Sequence, residues 1–173
     1  VEEWADAAGH VAAHNDALWV LYLCTSRLEY FSGAADALQK MRANMEARRA
    51  GIINPLERAN VAGEYPHLYP SLCQMLHKAG RTEELLGAIE SAKGRAVADV
   101  MAQRIGKPLN EAEFAKPVGR LRDLMQRTHA HYLSFLVDED DTLAVLLSKT
   151  GSLHTSGPIP LGKDRIRELS KYV

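Results

Sequence analysis

Two cysteines and seven histidines are the side chains of this chain best suited to nucleophilic or metal chemistry. Cys24 and Cys73 would act as nucleophiles if a histidine lay within hydrogen-bond reach to take the thiol proton. Each stands on a helical stripe of apolar residues, where burial disfavours the thiolate. No CxxC pair or zinc-type spacing joins them. The sequence therefore predicts two buried structural thiols in a reducing compartment and no catalytic residue.

The histidines show two spacings that metal sites use. His10 and His14 are four residues apart on a predicted helix, but no glutamate follows His10 and no third ligand is placed. His129 and His131 would share one face if both lay in a strand, and Asp138 would then be a third ligand. The favoured interpretation is that these two histidines end a helix and begin a strand. We therefore expect neither a metal nor another cofactor.

Charged clusters offer two further kinds of site. The turn Asp138-Glu139-Asp140-Asp141 resembles a calcium loop, but it lacks the glycine and the distal glutamate of an EF-hand. We interpret it as a solvated hairpin turn whose charge discourages edge pairing. Two groups of arginines are suited to phosphate: Arg48 with Arg49, and Arg120 with Arg122 and Arg127. Nearby acids favour solvated faces instead, and no GxxxxGK[ST] or GxGxxG occurs, which disfavours a nucleotide-binding enzyme.

The composition is that of an ordinary folded protein of 173 residues, with 46% hydrophobic and 25% charged residues. Its 21 basic and 22 acidic side chains nearly cancel, so net charge gives no reason to expect nucleic acid or an anionic membrane. The longest apolar run covers residues 17–24, too short to span a bilayer, and no basic segment precedes it. We expect a cytoplasmic protein. A start at Val1 and an end inside a predicted helix suggest a piece of a longer chain.

Helical periodicity dominates the first hundred residues. It predicts one helix or two over residues 3–27, a break at Ser32-Gly33, and a helix over 34–49. Another helix is predicted over 71–78, and Gly80 is expected to end it in a left-handed conformation. Thr82 then caps a long helix. The buried face of that helix is predicted to hold five residues: Leu85, Ile89, Ala92, Ala96 and Val100.

After His129 the pattern changes to that of strands. Residues 132–137 and 142–148 are rich in strand formers and flank the acidic turn, which predicts an antiparallel hairpin. A third strand over 153–159 and a helix over 162–173 follow. The fold class is thus mainly α, with helical hairpins followed by an antiparallel β-meander and a helix. We divide the chain into a helical module at 1–106, a linker at 107–116 and a second portion at 117–173.

Residues 68–101 read LYPSLCQMLHKAGRTEELLGAIESAKGRAVADVM and resemble a tetratricopeptide repeat, with leucines on a first helix and a glycine turn before the second. An earlier hairpin, RLEYFSGAADALQKM, resembles a second and poorer repeat. Gly33 and Gly80 are 47 positions apart, more than the 34 residues of such repeats. The number of repeats stays open, and an irregular helical bundle is the alternative.

The segment from Glu90 to Asp99, ESAKGRAVAD, resembles the Glu-x-x-Lys-Gly-Arg-x-x-x-Asp segment that leads into CHAT domains, caspase-like peptidase domains that commonly follow tetratricopeptide arrays. The stretch from His131 onward resembles the opening of that fold. Matching positions there are Tyr132, Asp141, Leu143, Val145 and Gly151. The resemblance covers about residues 82–173. It implies a bacterial cysteine peptidase or a degenerate relative, in some cases one of a defence system.

The catalytic segments of that family do not occur in this sequence. Peptidases of the family carry a histidine in a Pro-x-Gly-x-Leu-His-like segment and a cysteine in a Ser-Ala-Cys-like segment. In the family both segments follow the region that this sequence matches, and that region ends here at Val173. No catalytic residue is therefore carried over. The resemblance predicts a protein-binding scaffold joined to the first part of a CHAT-like domain, with a protein or peptide partner in the repeat groove and exposed strands that either dock on the helical half or self-associate. A purely structural interaction protein is the main alternative, and a small-molecule or nucleic-acid binding domain is a third.

Overall fold

A computed structural model describes residues 2–52, 54, 57, 60, 61, 64–105 and 118–172. Six helices and a three-stranded sheet lie in this part of the chain, in the predicted order of helices, then strands, then a last helix. The helices are α1 (Glu2–Arg27), α2 (Phe31–Ala50), α3 (Leu68–Lys78), α4 (Thr82–Ile105), α5 (Val118–Thr128) and α6 (Lys163–Leu169). The strands are β1 (Tyr132–Val137), β2 (Thr142–Leu147) and β3 (Leu153–Thr155). None of the described helices has the length and apolar character needed to cross a membrane.

The backbone divides into two compact units. One contains Val1–Gly80 and Ala96–Asn110, and the other contains Arg81–Arg95 and Glu111–Val173. The linker predicted at 107–116 lies outside the described residues, so that division of the chain stays a prediction.

The first unit begins with one continuous helix. No second helix begins within residues 3–27, and Asn15 lies buried in α1, where its side-chain oxygen accepts a hydrogen bond of 3.0 Å from Asn44 of α2. The break predicted at Ser32-Gly33 lies instead just before Phe31, because Glu29 takes a left-handed conformation with a φ of 58°. Gly33 is inside α2, and a Cβ there would collide with the Tyr30 ring. The glycine thus makes room for an aromatic ring.

Helix α2 packs against both α1 and α3, and apolar residues fill the contacts. An aliphatic and methionine stripe on α2 and a leucine stripe on α3 are almost fully inaccessible to solvent: Leu38, Met41, Met45, Leu68, Leu72 and Leu76. Burying side chains of this size contributes about 1.5–3 kcal/mol each. Gly80 follows α3 with a φ of 70°, the left-handed end that the sequence predicted.

Helix α4 buries only part of the face predicted for it. Leu85 and Ile89 are buried, and Ala92 is half-buried. The side chain of Ala96 lies outside the described residues, whereas Val100 is 50% exposed, so its predicted burial was wrong. The helix passes from one compact unit to the other after Arg95, and a stripe that is covered in the first part need not be covered in the second.

The sheet has the order β1-β2-β3, and both pairs are antiparallel. The predicted hairpin is confirmed, with Tyr132 opposite Leu147 and Val137 opposite Thr142. The third strand is shorter than predicted, although a single bridge joins Thr142 to Ile159. The acidic turn is held by two backbone bonds, from Asp138 N to Asp141 O and from Lys163 N at the start of α6 to Asp138 O.

Edge strand β1 presents two different faces. The side chains of Tyr132, Ser134 and Leu136 alternate with those of Leu133, Phe135 and Val137. The second set is 40–52% exposed, although all three residues are large and apolar. Ser134 on the first face is fully buried and lies opposite Val145 of β2.

Candidate functional site

The two cysteines do not share one environment. Cys73 is buried on α3, as predicted, whereas Cys24 is exposed on α1. The prediction of a buried Cys24 was wrong. Leu21 and Leu23 of the same apolar run are 41–49% exposed as well, so the described residues do not cover this part of α1. Neither cysteine is in a disulfide.

His129 and His131 lie at the end of a helix and just before a strand, as predicted. His129 follows the last residue of α5 with a φ of 51°, and exposed His131 directly precedes β1. His14 is exposed on α1, and the side chain of His10 lies outside the described residues. Across the side chains that the structure describes, no group of three His, Cys, Asp or Glu is arranged to hold a metal ion.

The arginines fall into exposed and buried members. Arg120 and Arg127 are exposed on α5, and Arg48 forms an exposed ion pair of 2.6 Å with Glu64. Arg122 is half-buried, where it bonds the Gly151 carbonyl oxygen at 3.3 Å and the Glu83 carboxylate at 3.1 Å. These contacts give Arg122 a structural role at the β2–β3 turn.

Arg49 corrects the prediction of a solvated arginine face, because its side chain is 0% exposed. It extends the buried stripe of Met41 and Met45 at four-residue steps along α2. Its guanidinium forms an ion pair of 3.3 Å with Glu46, whose other carboxylate oxygen accepts a hydrogen bond of 3.0 Å from Tyr69 of α3. This charged cluster fixes the register of α2 against α3, since a buried charge tolerates only a geometry that keeps its partners.

A second polar cluster lies in the other unit, around the buried side chains of Glu90 and Ser134. We call Glu90, Lys93, Tyr132 and Ser134 the α4–β1 polar cluster. The Ser134 hydroxyl donates to Glu90 Oε1 at 2.9 Å and accepts from Lys93 Nζ at 2.6 Å. Lys93 Nζ also lies 3.2 Å from Glu90 Oε1. Glu90 is 6% exposed and Ser134 is 0% exposed, so this network is largely shielded from water. Hydrogen bonds and ion pairs in such surroundings are strengthened by the low local dielectric.

Tyr132 completes the cluster. Its partial burial, followed by its hydrogen bond and repulsive charge interaction with Glu90, raises the pKa of Tyr132 to about 12, although a hydrogen bond with Ser134 lowers it. Each of the first three effects disfavours the phenolate, because the ionised ring would face a carboxylate in a poorly solvated place. Tyr132 therefore serves as a neutral hydrogen-bonding group here.

The contacts of this cluster give it a structural role. A serine next to a lysine is the arrangement of some nucleophilic enzymes, in which a neutral amine takes the hydroxyl proton. Here Lys93 is ion-paired with Glu90 and donates to the Ser134 oxygen, so it offers no lone pair to that proton. The full burial of Ser134 also keeps a substrate from its hydroxyl. The network instead joins α4 to β1.

Sequence reasoning singled out Glu90, Lys93 and Tyr132 only as matches to a family pattern and did not single out Ser134. The available signal was a serine inside the apolar run YLSFLV, together with Glu90 one residue after buried Ile89. Buried polar residues require partners, and these two satisfy each other.

Comparisons with known proteins identified no relative of this chain. No family model matches the chain, and neither the curated proteins nor the solved structures gave a match.

Proposed function

We propose that this chain is a protein–protein interaction scaffold of tetratricopeptide-like hairpins joined to the first part of a caspase-like CHAT peptidase domain, and that it is non-catalytic by itself. The observation that carries the proposal is the α4–β1 polar cluster. Glu90 and Lys93 come from the segment that resembles the lead into a CHAT domain, and Ser134 comes from the segment that resembles its opening. Two stretches that resemble the same family separately are thus joined by buried hydrogen bonds.

The helical unit supports the scaffold part of the proposal. Antiparallel neighbours with short connections are the building pattern of helical repeats, and α2 packs on both α1 and α3. Such arrays present grooves that hold a peptide or a helix of another protein. The partner is a protein or peptide, in the cytoplasm, and no cofactor or nucleic-acid contact is needed.

The edge strand supports the caspase-like part. Leu133, Phe135 and Val137 form an exposed apolar face on β1, whereas the sheets of α/β domains have helices on both faces. A complete CHAT-like domain would cover this face. In the isolated chain it is available for self-association, because exposed apolar strand surface favours pairing.

We expect the isolated chain to hydrolyse no peptide bond above background. A cysteine peptidase needs a thiolate with a base in hydrogen-bond reach, and the chain has neither family segment that supplies them. The measurement is release of fluorophore from a broad panel of peptide substrates. Cys24→Ala and Cys73→Ala serve as matched controls, and turnover that either substitution abolished would contradict the proposal.

A purely structural helical interaction protein with no peptidase domain is the second candidate. The packing of α2 on both α1 and α3 favours it, because this helical core forms within one compact unit that contains none of the strands. The natural polypeptide that contains this chain separates the candidates when its peptide hydrolysis is measured. Hydrolysis that requires a cysteine located after Val173 supports the first candidate.

A further inference from the structure

A small pocket lies in the helical unit, between the middle of α1 and the turn before α3. Its volume is about 200 Å³. The lining residues are Asp16, Trp19, Glu64, Tyr65, Pro66, His67 and Leu68. Pockets for drug-sized ligands measure about 300–1,000 Å³, so this one suits a single side chain or a small molecule.

The wall combines two carboxylates with two large aromatic rings. Asp16 and Glu64 supply the negative charge, and Trp19 and Tyr65 supply the rings. Trp19 is half-buried and packs against Tyr22 with ring centroids 4.9 Å apart, which restrains its indole. An aromatic face attracts a cation through its quadrupole, most strongly for tryptophan.

The charge balance of the pocket is negative. The ion pair of 2.6 Å with Arg48 neutralises much of the charge of Glu64, and both side chains of that pair are about 40% exposed. Asp16 is exposed and adds a second carboxylate. A cation in the pocket would therefore be attracted both by the Asp16 carboxylate and by the aromatic rings that line it.

We infer that this pocket binds an alkylammonium group, supplied by a lysine side chain of a peptide partner or by a free small amine. As a peptide site, the inference rests on the proposed scaffold function. A lysine suits the pocket because its four methylene groups can lie along exposed Pro66 while its ammonium meets the carboxylate and the rings. A neutral apolar side chain would supply no counter-charge for the Asp16 carboxylate.

The first test measures binding in solution through the indole N–H signal of Trp19 in a ¹⁵N-correlated NMR spectrum. The probes are Nα-acetyl-lysine methylamide and tetramethylammonium chloride, and the matched neutral probe is Nα-acetyl-norleucine methylamide. We expect both cations to shift the Trp19 signal saturably and norleucine to bind at least tenfold more weakly. Equal binding of norleucine, or no saturable shift with either cation, would overturn the inference.

The second test removes the charges without removing volume. Asp16→Asn combined with Glu64→Gln is expected to weaken binding of both cations at least tenfold, and Trp19→Phe to weaken it severalfold. Glu29→Gln changes an exposed carboxylate outside the pocket and should leave binding unchanged. Circular dichroism of each variant shows that it is folded. Wild-type affinity in the double variant would contradict a charged site.

A peptide arm distinguishes the two sources of the amine. A capped pentapeptide with a central lysine is expected to bind more tightly than the capped amino acid if a partner chain is the source, and equally if a free amine is. Either result supports the pocket. Equal binding of a peptide to the helical unit of the wild type and of the double variant, unchanged when its lysine is replaced by norleucine, would overturn the inference. That result would leave the scaffold function standing. Amine binding by a chain that binds no peptide would support the pocket and contradict the scaffold function.

Discussion

Ile89→Asp is expected to lower the free energy of unfolding by roughly 4 kcal/mol. Ile89 is 1% exposed on α4. The substitution loses about 1.5–3 kcal/mol of apolar burial. It also buries a carboxyl group that must be protonated to stay there, and even a neutral polar group buried without a hydrogen bond costs about 1–3 kcal/mol more. Urea denaturation followed by circular dichroism measures the change through the midpoint and slope of the transition.

Val97→Asp is the matched control for that experiment, since Val97 lies on the same helix but is 46% exposed. Its expected effect is within about 1 kcal/mol, as for most surface substitutions. An Ile89→Asp variant with the wild-type midpoint would show that this face of α4 is not buried.

Lys93→Met has the second largest expected effect, a loss of about 2–3 kcal/mol. The substitution leaves the Glu90 carboxylate, which is only 7% exposed, without its cation, and removes the donor that lies 2.6 Å from the Ser134 oxygen. Breaking a buried ion pair costs about 3–5 kcal/mol. Because the Lys93 side chain is 45% exposed, solvent screens its charge, and we expect a cost at or below the low end of that range. The same denaturation experiment measures it.

Lys163→Met provides the comparison. Lys163 and Glu139 form an ion pair of 3.5 Å in the same compact unit, but the two side chains are 54% and 70% exposed. Exposed pairs contribute about 0–1 kcal/mol. Equal effects of Lys93→Met and Lys163→Met would mean that the α4–β1 polar cluster is not a buried network.

The strands could be predicted well because their signals are local. The runs at 132–137 and 142–147 consist mostly of strand formers, and the acidic turn between them sets the register. The left-handed end at Gly80 follows from the same kind of local rule, since only glycine takes that conformation readily.

Burial on the helices could not be predicted equally well because it depends on which elements pack together. Periodicity placed Cys24, Val100 and Leu85 alike on apolar stripes, but only Leu85 of these is buried. Arg49 shows the reverse error, since its burial requires Glu46 on its own helix and the neighbouring α3. The polar cluster and the pocket likewise join residues that are more than 40 positions apart.

The most direct test of the proposed function is to determine the residues that follow Val173 in the natural polypeptide, by sequencing its coding DNA and confirming the product by mass spectrometry. The proposal predicts further strands, then a histidine in a Pro-x-Gly-x-Leu-His-like segment, then a cysteine in a Ser-Ala-Cys-like segment, or recognisable degenerate forms of both at those places. A polypeptide that ends within a few residues of Val173, or that continues without either segment, would contradict the caspase-like assignment.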